Sequence, residues 1–225
     1  MEKGQTFLAA GKFEKARVEF QNALQIAPTD ADARYENGVV DERLGKPRDA
    51  AQFYQGAIDV NPDHVGALAN LARLYLFSGA PDRALELIGP AIEKHPDDAE
   101  LLTVRAAARL QKKDPDGAMV DALRAVRLAP ANEDAVAVLG GLYVSSGRKD
   151  EARTLLQDSI KRIPGTVDLR LALAQIYAGE SNEAETEVIL VDLIRLKPDE
   201  KSHRIRLAQF YAHTNQVDEG ERTLR

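Results

Sequence analysis

Apolar residues recur along this chain in short segments with helical spacing, and the segments come in pairs. Within each pair a first apolar segment leads to a turn, a second apolar segment follows, and a proline closes the stretch. The closing prolines repeat every 34 residues without insertion or deletion, at Pro28, Pro62, Pro96, Pro130, Pro164 and Pro198. Each 34-residue stretch is therefore predicted to be a helical hairpin that stacks on the next one.

One position between the two segments of each pair favours residues that adopt positive φ, as a helix C-terminus requires. It is occupied by Gly11, Gly45, Gly79, Lys113, Gly147, Ser181 and Asn215. Two residues later, Pro47, Pro81 and Pro115 mark the first turn of a second helix, where the missing N–H costs nothing. The spacing thus predicts where the first helix of each pair ends and the second begins.

A polar residue precedes the first helix of most pairs, and its side chain is predicted to cap free backbone N–H groups. The residues at this position are Asp30, His64, Asp98, Asn132 and Thr166. The same reasoning makes His64 a cap and not a metal ligand.

The phased residues resemble the tetratricopeptide repeat (TPR) family. The fullest copy lies in residues 65–98, with Leu68, Leu71, Ala72, Tyr75, Ala84, Ile88, Ala91 and Pro96. The resemblance implies an all-α fold, an α-α superhelix or right-handed solenoid with a concave inner groove. A generic helical bundle is the rival fold, but a bundle does not require units of identical length.

The period divides the chain into about seven helix-turn-helix repeats in a single array over 1–225. The predicted boundaries are about 1–30, 31–64, 65–98, 99–132, 133–166, 167–200 and 201–225. The first and last repeats are incomplete, which favours an array cut from a longer chain. An uncapped apolar end also favours end-to-end self-association of the fragment.

Repeat 99–132 departs from the family pattern, because Arg105 and Arg109 stand where Leu and Tyr are expected. One interpretation is that their aliphatic stems lie along the core edge while the guanidinium groups reach solvent. The alternative is that they bind an acidic partner.

The composition removes several classes of chemistry. Cysteine is absent, and no two of the four histidines stand three or four residues apart on a helix. No phosphate-binding loop, dinucleotide fingerprint, nucleophile elbow or zinc-protease motif occurs. We therefore predict no enzyme, no catalytic, cofactor-binding or metal residue, and no cofactor.

The net charge and the lengths of the apolar stretches limit which classes of partner are expected. A net charge of -6 with a pI near 5.4 argues against nucleic-acid binding. The longest apolar stretches fall far short of the roughly 20 residues that span a bilayer, so direct membrane insertion is not expected. A protein or peptide partner is the remaining prediction.

The resemblance also implies which residues line a ligand groove on the first helices. The predicted groove residues are Tyr35, Val39, Arg43, Ala69, Arg73, Leu76, Phe77, Thr103, Leu110, Val144, Leu171 and Gln175. An apolar groove with charged borders suits an amphipathic helix or an extended hydrophobic peptide. Two alternatives are that some of these residues, Leu110 and Val144 above all, pack against the next repeat, or that a missing segment of the same protein fills the groove.

The carboxylate clamp of chaperone-binding TPR proteins is disfavoured, since the positions of its Lys and Asn hold Tyr35 and Val39. The resemblance thus implies a protein-interaction scaffold; the alternative is a non-catalytic segment of a larger enzyme or polysaccharide export machine. Residues 2–16 are similar to the first repeat of bacterial TPR lipoproteins, including those of exopolysaccharide systems. That likeness favours the bacterial cell envelope (periplasm), with the cytoplasm as the alternative.

Overall fold

The computed structural model describes residues 1–224, which form fourteen α-helices and no strand. The first eight are α1 (Glu2–Ala9), α2 (Phe13–Ile26), α3 (Ala31–Arg43), α4 (Pro47–Val60), α5 (Val65–Phe77), α6 (Pro81–Lys94), α7 (Ala99–Gln111) and α8 (Pro115–Leu128). The others are α9 (Glu133–Ser145), α10 (Lys149–Arg162), α11 (Asp168–Gly179), α12 (Glu183–Leu196), α13 (Lys201–His213) and α14 (Val217–Leu224). The all-α prediction is confirmed.

The helices group into two compact units. The N-terminal unit comprises residues 1–128 and contains α1 to α8, while the C-terminal unit begins at residue 129 and contains α9 to α14. Within each unit, successive helices pack against each other. The odd-numbered first helices also meet directly, α5 with α7 in the N-terminal unit and α9 with α11 in the C-terminal unit. Helix pairs stacked side by side are what the repeat predicts.

Turns and caps follow the sequence prediction closely. All seven residues of the predicted turn position have positive φ, from 56° at Ser181 to 78° at Gly147. The predicted caps accept backbone hydrogen bonds, for example Asp30 Oδ1 from the Ala33 N–H at 2.9 Å and His64 Nδ1 from the Ala67 N–H at 3.1 Å. These local predictions are confirmed because each depends on residues within four positions of one another.

Small residues on the first helices let large side chains of the second helices pack closely. A Cβ added at Gly38 would lie 2.5 Å from the ring of Tyr54, and one at Gly4 would lie equally close to Phe20. Both rings are fully buried. Glycine at these two positions is therefore a packing requirement of the N-terminal unit.

The positions of Arg105 and Arg109 differ from the prediction that their guanidinium groups reach solvent or bind an acidic partner. Their guanidinium groups turn inward onto Asp121 of α8, which is 2% exposed. Arg105 binds it with two hydrogen bonds of 2.8 and 2.6 Å, and Arg109 with one of 2.7 Å. The two side chains are 24% and 32% exposed, but both guanidinium groups are bound to a carboxylate of their own repeat, so they neither extend freely into solvent nor form a free site for an acidic partner.

Candidate partner-binding groove

An open cavity of about 420 Å³ lies among α9, α10 and α11 of the C-terminal unit. Val144, Leu156 and Ile176 contribute apolar walls, and Gly141 and Gly179 contribute stretches without side chains. We name it the Val144 cavity. Its lining suits an apolar side chain of a partner.

The Val144 cavity is open because its walls carry small residues. A Cβ at Gly140 would stand 3.7 Å from Leu156, an ordinary contact, and at Gly141 and Gly179 nothing lies within 4 Å. Leu156 occupies the repeat position that holds Phe20 and Tyr54 in the first two repeats. Since leucine is shorter than either aromatic residue, it does not fill the space beside the glycines.

A second cavity of about 480 Å³ lies among α11, α12 and α13. Leu171 and Ala178 of α11, Leu190 of α12 and Phe210 of α13 form its apolar walls. We name it the Phe210 cavity. Gln175 lines both cavities, so the two are neighbours on either side of α11.

The two cavities together form the C-terminal groove, and three of the predicted groove residues line it. Val144 lies on the first cavity, Leu171 on the second and Gln175 on both. Val144 is 39% exposed.

The sequence prediction missed the contributions of α13 and of the second helices. Gln209 and His213 occupy the same repeat positions as predicted residues of earlier repeats and could have been found by extending that rule. Leu156, Leu190 and Phe210 could not, because their part in the groove depends on how far each side chain reaches between the helices.

In the N-terminal unit several predicted groove residues are buried, which corrects their assignment. Ala69 is fully buried and Leu76 nearly so, because α5 packs directly on α7 and both join a core cluster with Val104 and Ala108. Thr103 is also buried, and its hydroxyl donates to the Ala99 carbonyl. These three side chains do not line an open surface.

Tyr35 is half-buried against the following repeat. Its ring lies 4.8 Å from the His64 ring and 5.8 Å from the Tyr54 ring, measured between centroids. A Cβ on Gly66 would come within 3.0 Å of it. Burial raises the pKa of the Tyr35 hydroxyl, with the Glu100 carboxylate contributing in the same direction. Val39 also packs on the core of this repeat.

A chain of hydrogen bonds crosses the N-terminal unit from α3 to α7. The Tyr54 hydroxyl donates to Glu42 at 2.7 Å and accepts from the Asn70 amide at 3.1 Å. Arg73 then donates to Asn70 and, at 2.9 Å, to Glu100. Burial and the Glu42 carboxylate raise the pKa of Tyr54. Arg73, predicted to face a ligand, is bound within the fold by this network.

The remaining predicted residues of the N-terminal unit are exposed. Phe77 is 90% exposed, and Leu110 is 40% exposed. Arg43 is exposed as well. None of the three lines either cavity of the C-terminal groove. Phe77 thus presents an exposed aromatic contact surface.

Among residues 1–224, no cluster of three or more His, Asp or Glu side chains is arranged to hold a metal ion. In the same part of the chain no helix combines the length and the apolar character that crossing a bilayer requires.

Comparisons with known proteins agree with the helical hairpins. Family models described as tetratricopeptide repeat match residues 42–108 and 109–176, and one described as TPR repeat matches residues 4–45. Curated protein sequences contain no match.

Solved structures share the architecture at low sequence identity. A thermophilic TPR protein of Thermus thermophilus aligns with a TM-score of 0.72 at 22% identity over 81% of this chain and 99% of its own. A TPR protein of Parabacteroides merdae aligns with a TM-score of 0.60 at 18% identity over 99% and 95%. A chain of the APC/C hetero-tetramer Cut9-Hcn1 aligns with a TM-score of 0.74 at 18% identity over 92% of this chain and 41% of its own.

Proposed function

Because the chain belongs to the tetratricopeptide repeat family, whose members bind protein partners and are generally non-catalytic scaffolds, we propose that it binds a segment of a partner protein in the C-terminal groove. The segment contributes apolar side chains to the Val144 cavity and the Phe210 cavity. No chemical step is part of this function.

The adjacency of two open apolar cavities supports the proposal. Volumes of about 420 and 480 Å³ exceed what a single leucine or phenylalanine side chain occupies, so each admits one anchor residue. Protein interfaces concentrate their binding free energy in a few such anchors, surrounded by polar contacts. The C-terminal groove has this composition, since polar residues such as Gln175 and Gln209 stand beside the apolar walls.

The N-terminal unit is a weaker candidate for the same role. Its predicted groove residues are partly buried, and Arg73 is engaged by Asn70 and Glu100. Exposed Phe77 is a second candidate contact, which the experiment below separates from the C-terminal groove.

The test is an affinity purification with four forms of the chain: wild type, Val144→Glu with Leu171→Glu, Phe77→Glu, and Val188→Glu. Val188 is a matched control, since it is 55% exposed on α12 and lines neither cavity. Circular dichroism first establishes that all four are equally helical. We expect partners to be lost only from the groove double variant; retention there with loss from Phe77→Glu would transfer the function to the N-terminal unit.

The bacterial envelope location, with its exopolysaccharide context, stays a prediction from the resemblance of residues 2–16. The larger enzyme or export machine remains the alternative context. Partner identity in the purification separates the two, because envelope proteins are recovered in one case and subunits of an enzyme or transporter in the other.

A further inference from the structure

Positively charged side chains outnumber negatively charged ones on the walls of the C-terminal groove, and this favours an acidic partner for the proposed function. Lys149 lines the Val144 cavity, and Arg206 and Glu183 line the Phe210 cavity. The chain as a whole carries a net charge of -6. An excess of cationic groups around an apolar surface of an acidic protein is thus a local feature.

Lys149 has no ion pair among the described residues, although carboxylates surround it in sequence. Glu151 is bound by Arg148 at 2.9 Å, and Asp150 is bound by Arg153. Arginines therefore hold the nearby carboxylates and leave the ammonium group of Lys149 at the cavity edge. In a first turn, where the helix dipole disfavours a cation, this arrangement brings α10 no stability.

Arg206 is similarly without an ion pair in the described part of the chain, and it is exposed. The one carboxylate on the cavity walls, Glu183, stands in the first turn of α12, where the free N–H groups stabilise it. The acidic residues Asp134 and Asp168 lie in the first turns of α9 and α11 and line neither cavity. Lys149 and Arg206 thus outnumber the one carboxylate on the cavity walls, Glu183.

The positions of the cavities set the spacing of the anchors. They lie on opposite sides of α11, and neighbouring helices pack about 8–10 Å apart, so the anchors must be separated by on the order of 10 Å. In an α-helix, side chains seven residues apart are separated by about 10.5 Å and point nearly the same way. The open backbone at Gly141 and Gly179 lets such a helix approach closely.

We propose that the C-terminal groove binds an acidic amphipathic helix of a partner protein. Two apolar side chains, seven residues apart, enter the Val144 and Phe210 cavities, and carboxylates beside them face Lys149 and Arg206. Gln175, which lines both cavities, contacts the polar residues between the anchors. This inference rests on the proposed function and adds the charge, conformation and anchor spacing of the partner.

The experiment measures binding of dye-labelled, alanine-based helical peptides to the whole chain by fluorescence anisotropy. The first peptide carries two leucines seven residues apart with glutamates beside them. The second replaces the glutamates by lysines, and the third keeps the composition of the first but places the leucines on opposite faces. We expect the first to bind about tenfold more tightly than the second, as two partly exposed ion pairs allow.

Charge reversal provides the internal control. Lys149→Glu with Arg206→Glu is expected to reverse the preference and bind the lysine peptide more tightly, while Val188→Glu leaves it unchanged. Equal binding of all three peptides, or binding of none, would overturn the acidic-helix proposal. A fourth peptide has the acidic sequence of the first with a central proline, which disfavours a helix. If it binds more tightly than the first peptide, the bound segment is extended and the helix proposal is wrong.

These outcomes are distinct from those of the proposed function. Natural partners lost from the Val144→Glu, Leu171→Glu double variant establish the groove whichever peptide binds. Natural partners that are retained by it defeat the groove itself, and with it the acidic helix.

Discussion

Repeat 99–132 of the N-terminal unit and repeat 133–166 of the C-terminal unit fill three equivalent positions in opposite ways. The first has Arg105, Arg109 and Asp121, and the second has Leu139, Tyr143 and Leu155. Both repeats form the same helical hairpin. The hairpin therefore accepts either an ionic cluster or apolar side chains at these positions.

The first helices of the two units also differ in whether polar contacts or open apolar cavities lie beside them. In the N-terminal unit, Asn70 and Arg73 belong to a hydrogen-bond chain that links three repeats. In the C-terminal unit, small residues such as Gly141 leave open cavities. Polar side chains that bind one another are not available to a ligand, whereas an unfilled apolar cavity can receive a ligand side chain. This contrast is why the proposed site lies in the C-terminal unit.

The largest effect is expected from removing the carboxylate of the ionic cluster. Asp121→Ala leaves the partly buried Arg105 without a counter-charge and leaves Arg109 with Asp114 alone, at 3.8 Å, and we expect a loss of about 3 kcal/mol in the free energy of unfolding. Urea unfolding followed by circular dichroism measures it. A loss below about 1 kcal/mol would mean that water replaces the carboxylate.

The triple variant Arg105→Leu, Arg109→Tyr, Asp121→Leu is the matched control. It installs the residues of repeat 133–166, and we expect it to unfold at no lower urea concentration than the wild type, since apolar replacement of a buried ionic cluster is often neutral or stabilising.

A smaller loss of stability is expected from replacing Gly38 of α3, which packs against the Tyr54 ring, by alanine. Gly38→Ala places a Cβ 2.5 Å from the fully buried Tyr54 ring and should cost about 2 kcal/mol through overpacking. Thermal unfolding is the measurement. Gly140→Ala, at the same repeat position but 3.7 Å from Leu156, should not be destabilising; similar losses in both variants would show that packing does not distinguish the units.

His203 is an exception to the apolar core of the C-terminal unit. It is 4% exposed, and neither ring nitrogen has a hydrogen-bond partner among the described residues. The same position one repeat earlier holds Leu169, which is fully buried. We expect His203→Leu to stabilise the fold by about 1 kcal/mol in chemical unfolding, because a buried polar group is removed. Destabilisation would indicate that the imidazole has a bound partner.

The smallest effect is expected at the open glycine of the Val144 cavity. Gly141→Ala meets no heavy atom within 4 Å and should stabilise α9 by about 0.5–1 kcal/mol through helix propensity. The same methyl group narrows the cavity, so binding of the acidic peptide should weaken. Calorimetric unfolding measures the stability, and fluorescence anisotropy on the same preparation measures peptide binding. Tighter binding of the acidic peptide by Gly141→Ala would contradict the close approach of a helix.

Much of the fold could be predicted from the sequence because its determinants are local. Positive φ at Ser181 and Gly147, and the caps at Asp30 and His64, follow from interactions within a few residues. The candidate site was only partly predictable. Val144, Leu171 and Gln175 line the C-terminal groove, as the repeat positions indicate, whereas Leu156 and Phe210 were not foreseen.

Side chains that are neighbours along the chain set the repeat, its register, the helix boundaries and the turns, so these features follow from the sequence alone. It took the folded chain to show that Asp121 binds two arginines, that Ala69 and Leu76 are covered, and that space remains beside Gly141. These features depend on how closely helices approach and on which side chains reach between them. A pattern that specifies which residues face inward does not specify whether the space between them is filled.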